Sequence, residues 1–241
     1  STVVAGSSTT YAVSSNGIYT FKVRDNAGNE GTQSITISNI DKTAPTLSLT
    51  QNPEAGTWTN GSVTITATGS DTGGSAVKEM VKPDSTVVAG SSTTYAVSSN
   101  GTYTFRVRDN AGNEGTQSIT IPNIDKTAPT APTIGFTSPS GYTSGTWTNQ
   151  NVTFTVTNGT DGGSGVQKSQ YSTDGGSTWT DYSSAVTVSA AGTTTVLART
   201  IDKAGNTSTN ATATIKIDKT APTLTLTQNP AAGTWTNGSV T

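Results

Sequence analysis

The chain has 241 residues, of which 30% are hydrophobic and 12% charged, with a net charge of −2 and a mean hydropathy of −0.35. So thin a supply of apolar side chains excludes a large buried enzyme core and suits small sheets that each need one apolar face. The 13 basic and 15 acidic residues form no basic run, and no apolar stretch approaches a membrane span, so neither nucleic acid nor membrane is an expected partner.

There is no Cys and no His. Lack of His removes the commonest general base, zinc ligand and pH switch. Ser and Thr abound, but no activating base accompanies them, so an enzyme is not expected. Zero Cys points away from a disulfide-stapled secreted eukaryotic domain and toward a bacterial surface protein. The chain opens on Ser and in mid-repeat, which points to a window on a longer polypeptide.

Residues 1–45 match 85–129 with three differences, Ile18/Thr102, Lys22/Arg106 and Ser38/Pro122. They are expected to be the C-terminal part of a repeat and to supply the last strands of a sandwich. Residues 46–129 are expected to be one complete repeat. Within it "TLSLTQ" (46–51), "SVTITATG" (62–69) and "TTYAVSS" (93–99) alternate apolar with polar at a period of two. "VKEMVK" (77–82) has no clean alternation. "TYTFRVR" (102–108) places Tyr103, Phe105 and Val107 on one face and Thr104, Arg106 and Arg108 on the other, and "QSITIPN" (117–123) follows. "NPEAG", "SDTGGS", "SNG" and "DNAGN" punctuate these runs as turns. No helical period appears.

Residues 130–222 read as a complete, diverged repeat, and 223–241 as the N-terminal part of a further one, supplying two strands. The last segment matches 46–64 with two differences, Thr225/Ser48 and Ala231/Glu54. About seven short strands per repeat imply an all-β fold of tandem immunoglobulin-like Greek-key β-sandwiches in an extended rod.

"DNAGN" (109–113), "DKAGN" (202–206), the thrice-repeated "DKTAP" and "GTWTN" (56–60, 145–149, 233–237) resemble bacterial immunoglobulin-like repeats, the units of the long stalks of giant adhesins. The resemblance covers the whole chain. It implies stacked sandwiches exported to the cell surface, often with calcium at domain junctions and with ligand binding carried by other, distal domains. The Lys of "DKTAP" departs from that pattern, where a small polar residue often stands. "SNGTYTF" (99–105) further resembles immunoglobulin strand F, with Phe105 where a Cys would sit and Tyr103 either a tyrosine corner or simply a strand aromatic.

Eight of the fifteen acidic residues fall at three recurrent places: Asp41, Asp125 and Asp218 in the junction, Asp71 and Asp161 before the third strand, and Asp25, Asp109 and Asp202 in "D-x-A-G-N". In immunoglobulin topology the chain enters its first strand at the end that carries the B–C and F–G loops. Asp41 is therefore expected near Asp71 and Asp109, and Asp125 near Asp161 and Asp202. Three carboxylates with nearby carbonyls suit a hard cation such as Ca²⁺, and Asn110, Asn113 and Asn206 could add oxygens. The competing reading has each Asp capping its own loop while Lys42, Lys126 and Lys219 neutralise the junction.

Trp58, Trp147 and Trp235 read as structural packing near loop ends. Trp179 and Tyr182, in the diverged repeat only, are candidates for stacking on a sugar, although "YSTDGGSTWTDY" reads first as a hairpin with an Asp-Gly-Gly turn. The leading function is a structural or adhesive stalk, with neighbouring repeats or neighbouring copies in a filament as its partners. A carbohydrate- or host-protein-binding module centred on 130–222 is the alternative. An accessory domain of an enzyme, with its catalytic domain elsewhere, is the third.

Overall fold

Alternation alone places strands where Thr faces water and Val, Ile or Phe faces inward, and the computed structural model, which describes residues 4–229 and 231–240, contains strands and no helix among those residues. The chain divides into two units, Ser1–Lys126 and Thr127–Thr241.

In the first unit, β1 (Gly17–Arg24) and β2 (Glu30–Ile37) form an antiparallel hairpin. Seven strands then follow: β3 (Thr46–Asn52), β4 (Val63–Ser70), β5 (Val77–Val81), β6 (Val87–Ala89), β7 (Ser92–Val97), β8 (Gly101–Asp109) and β9 (Glu114–Ile121). They form two antiparallel sheets, β3-β4-β7 and β6-β5-β8-β9, so the chain crosses between sheets after β4, β6 and β7. This is a Greek-key immunoglobulin-like sandwich. Val63, Ile65 and Ala67 of β4 pack against Met80 of β5 and Phe105 and Val107 of β8, all fully buried. The outward Thr residues of β4 lie between those inward side chains, as the period of two requires. The irregular "VKEMVK" does form a strand. A register shift between Val77 and Glu79 against β8 breaks its alternation; Met80 enters the core opposite Val107, while Val81, opposite Arg106, is buried on the other face.

Tyr103 settles as a tyrosine corner: its hydroxyl donates to the Ser99 carbonyl at 2.7 Å while its ring packs on the core. Tyr19 makes the same bond to Ser15 in the N-terminal hairpin. The diverged repeat uses another tyrosine. Tyr142 Oη donates to the Thr146 carbonyl at 2.9 Å and accepts from the Lys216 main-chain N–H at 3.0 Å.

The second unit has β10 (Thr133–Ser138), β11 (Trp147–Thr148), β12 (Val152–Thr157), β13 (Val166–Ser172), β14 (Thr180–Asp181), β15 (Val186–Val188), β16 (Gly192–Asp202) and β17 (Ala211–Ile217). Its sheets are β10-β12-β15 and β11-β17-β16-β13-β14, with β11 parallel to β17. The bridge from Thr59 to Ile124 is the equivalent parallel contact in the first unit. Val152, Phe154, Val196, Ala198 and Ile215 form the core. The expected hairpin joins β13 to β14, and Gly175 and Gly176 take positive φ at its turn.

The terminal segments depart from expectation in one respect. Ser8–Val13 is identical to β7 and 223–229 differs from β3 at one position, yet neither carries a strand, and the described residues of 231–240 carry none either. β3 and β7 both pair with β4, and among the described residues neither copy is paired with a β4 counterpart. Without that partner the backbone groups stay with water and the apolar side chains are exposed, Leu224 at 80% and Leu226 at 83%. Residues 1–3, Pro230 and Thr241 of these segments lie outside the described residues.

Candidate metal centre

The "D-x-A-G-N" motif folds by local chemistry. In each of its three copies the Asp carboxylate takes both the main-chain and the side-chain N–H of the Asn four residues on. The distances are 2.8 and 2.8 Å for Asp25–Asn29, 2.8 and 2.8 Å for Asp109–Asn113, and 2.7 and 2.7 Å for Asp202–Asn206. A glycine at positive φ closes each turn. The clasp forms even at Asp25, which is exposed, so its geometry does not depend on a partner loop.

At Asp109 other groups are added. Its residue is fully buried. Burial pushes its carboxyl upward, but the Asn113 side chain and main chain, the Gly112 N–H and the Ser75 hydroxyl outweigh that and hold it below the ordinary carboxylate range. Asp71 folds its loop back on itself, accepting from Gly73 N at 3.0 Å and Ala76 N at 2.9 Å. Asp41 enters from the linker after β2 and accepts from Thr43 N at 2.9 Å and Ser75 N at 3.0 Å. The Ser75 hydroxyl, then its own and the Thr43 amide, lower the Asp41 carboxyl. Asn113 also donates to the Asp41 carbonyl at 3.2 Å, and Asn110 donates to the Ser75 carbonyl at 2.8 Å.

Three carboxylates separated by 30 or more residues in sequence thus meet, with one oxygen from each of Asp41, Asp71 and Asp109 within 4.8 Å of the others. Each of the six carboxylate oxygens accepts at least one N–H. The Ser75 hydroxyl is buried beside Asp41 and Asp109 without a hydrogen bond of normal geometry. A cleft of about 340 Å³ lined by Ile40, Asp41, Gly73, Ser75 and Asn110 opens this cluster to solvent.

The junction lysines do not neutralise it. Lys42 and Lys126 are exposed and form no ion pair among the described residues. Lys219 turns back on its own unit, donating to Asn151 Oδ1 and the Ser189 carbonyl at 2.8 Å each. The reading in which these lysines offset the Asp charges is therefore not what the side chains do. Asn110, Asn113 and Asn206 direct their amide hydrogens at the loops and carboxylates, holding the site together.

Asp125 and Asp161 with Asp202 belong to different units. Asp125 is buried, and its main-chain N–H donates to the Thr59 carbonyl at 2.9 Å, closing the end of the first sandwich. Asp161 repeats the role of Asp71, its Oδ2 accepting from Gly163 N at 3.2 Å and Gly165 N at 2.6 Å. Its Oδ1 is buried without a partner among the described residues. Asp202 is fully buried.

Ser75 and Gly73 were not singled out from the sequence. The signal available was the run Asp-x-Gly-Gly-Ser at 71–75 beside Asp-Gly-Gly-Ser at 161–164. A Cβ on Gly73 would overlap the Asp41 carboxylate. Gly73→Ala is expected to expel Asp41 from the cluster, lowering the melting midpoint of the first unit while the second keeps its own, as two-transition calorimetry would show.

The tryptophans follow their packing. Trp58 is half-buried, Trp147 is 61% exposed with Lys216 Nζ 5.8 Å from its ring centroid, and Trp235 is exposed. Tyr182 packs on the second core, edge-on to Tyr171 at 6.5 Å, so its ring is committed to the fold. Trp179 is half-buried with Arg199 over one face.

Sheet order and tandem repetition define a chain of immunoglobulin-like sandwiches. No protein-family model matches the sequence, and no curated protein matches it either. Among solved structures the chain is similar to the fibronectin(III)-like modules of Clostridium thermocellum CbhA, at 14% identity over 70% of this chain and 94% of that one, with a TM-score of 0.33. It is also similar to a 1.5-MDa bacterial ice-binding adhesin solved for its host cell surface retention, at 19% identity, 83% and 74% coverage and a TM-score of 0.48. A tetra-tandem repeat from the extending region of a large adhesion protein matches at 18% identity over 85% of this chain and 57% of that one, with a TM-score of 0.24.

Proposed function

We propose that this chain is part of an extracellular stalk on a bacterial surface, built from tandem sandwiches whose junctions are stiffened by calcium. The observation that carries the reading is the convergence of Asp41, Asp71 and Asp109 with no basic side chain paired to any of them among the described residues. Oxygens that share one Ca²⁺ at 2.3–2.6 Å lie no more than about 5 Å apart. The 4.8 Å spread fits that limit. Asp and main-chain oxygens form the hard donor set calcium takes, and Asp41, Asp71 and Asp109 would hold it. By the register of the repeats, Asp125, Asp161 and Asp202 are the corresponding set.

Asp41 lies in the segment entering β3, whereas Asp71 in the loop after β4 and Asp109 at the end of β8 belong to the sandwich that follows. An ion bound by all three fixes the angle at which the linker meets that sandwich, and Pro45 already restricts the same linker. Spacing, not catalysis, is what near-identical tandem units supply, because copy number can change without loss of any one site. Ligand recognition then resides mainly in other parts of the protein.

The test is removal of the ion. With calcium at about a hundredfold over its dissociation constant, one site stabilises the folded state by about 2.7 kcal/mol, which for a sandwich of this size raises the midpoint by roughly 10 °C or more. Chelator should reverse the rise, and small-angle scattering should show a broader distribution of chain extents. Superimposable melting and scattering curves with calcium and with chelator would remove the proposal.

A further inference from the structure

The outer face of β13, β14 and β16 carries the row Asp181, Gln170 and Arg199 where repeat 46–129 has arginine–glutamate pairs. Gln170 lies between Asp181 and Arg199 in the strand register. Its amide nitrogen donates to Asp181 Oδ1 at 2.7 Å, and its amide oxygen accepts from Arg199 Nε at 3.0 Å and Nη2 at 2.8 Å. Lys168 Nζ reaches the same Asp181 carboxylate at 3.0 Å. The Arg199 guanidinium lies over the Trp179 ring, 3.9 Å from its centroid.

Repeat 46–129 shows what has changed. There Arg106 pairs with Glu114 at 3.6 Å, and Arg108 pairs with Glu114 at 2.8 Å and Glu79 at 3.1 Å, so the charges balance. The equivalent positions in the diverged repeat hold Arg199, Thr207, Ile201 and Lys168. Both glutamates are gone, and Arg199 forms no ion pair among the described residues. A neutral amide and an aromatic face hold it in place, using two of its five N–H donors.

We propose that Trp179 and Arg199 form a binding site for the carboxylate of an acidic saccharide. A guanidinium fork matches a carboxylate with two parallel hydrogen bonds, and a fork fixed before binding loses little freedom when it binds. Trp179 removes water from one side of the guanidinium and offers its remaining surface to a pyranose ring. Gln170, one strand away from Arg199, and Asp181, two strands away, are partners for sugar hydroxyls. Asp181 also repels closely spaced negative charge, which favours one carboxylate per sugar over a phosphate polyanion. The site shares no residue with the aspartate cluster, so it stands or falls independently of calcium.

The whole chain, at fixed calcium, should be titrated by calorimetry with tetragalacturonate, maltotetraose and tetraglutamate. Saturable binding is expected with tetragalacturonate alone. Arg199→Lys, which keeps the charge and loses the fork, should weaken it by about tenfold or more without moving the melting midpoint. Absence of saturable binding, equal binding by Arg199→Lys, or comparable binding of maltotetraose would overturn the proposal. Tighter binding of tetraglutamate would overturn it in favour of an acidic peptide.

Discussion

Phe105→Ala is expected to destabilise repeat 46–129 by about 3–5 kcal/mol, enough to consume most of the stability of a small domain. Phe105 is fully buried on β8 and stands edge-on to Tyr95, 6.2 Å between ring centroids, at the centre of a core of short aliphatic side chains. Val63, Ile65 and Val107 around it are too short to close the void, and both sheets are fixed by their hydrogen-bond ladders. Calorimetry should show one transition displaced strongly downward and the transition of the diverged repeat in place. Phe21→Ala makes the comparison, since it is the same residue of the same motif and is 41% exposed in the N-terminal hairpin. That substitution should leave both transitions unmoved.

Asp109→Ala is expected to abolish the calcium-dependent rise in the midpoint of the first unit. It removes one carboxylate of the cluster and two of the acceptors of Asn113, whose side-chain amide keeps only the Asp41 carbonyl. Asp109→Asn keeps the volume and should also lose the ion response. Asp25→Ala loses the same local clasp but no partner loop, so its effect should be independent of calcium. If Asp25→Ala and Asp109→Ala changed the response equally, the cluster would be a set of loop caps and nothing more. Acidity supplies a second readout. Asp41 and Asp109 are held below the ordinary carboxylate value of about 3.9, so their contribution is complete above that pH and fades as pH falls through the lower folded value. Acid melting of the first unit should therefore begin below about pH 4, and Asp109→Asn should flatten that dependence.

Much of this was legible in the sequence, because the signals were local or repeated. The inward line of Tyr103, Phe105 and Val107 follows from alternation alone, and the clasp of Asp109 on Asn113 spans four residues. The approach of Asp41 to Asp71 and Asp109 needed one more premise, that the chain enters a sandwich at a particular end. Where reading failed, the cause was a partner not visible in the segment itself. The bulge in β5 arises from its pairing with β8. Residues 223–229 have the pattern of β3 but pair with no strand among the described residues. Arg199 was not singled out in the sequence, because its partner Gln170 lies on the neighbouring strand and Trp179 in the turn before β14. Lys219, the awkward basic residue of the junction motif, finds its role through Asn151 and Ser189, which lie far back along the chain.

The identity of Ser8–Val13 with β7 has a kinetic meaning. It is identical in sequence to β7, so side-chain chemistry cannot tell β4 which of the two to accept. Only chain distance separates them, and each doubling of a closing loop costs just about 0.6 kcal/mol. During synthesis or export in the N-to-C direction, β4 emerges when the wrong copy is already present and the right one is not. Near-perfect repetition thus brings a decoy with every unit, and divergence such as that of residues 130–222 is what separates one unit's folding from its neighbour's.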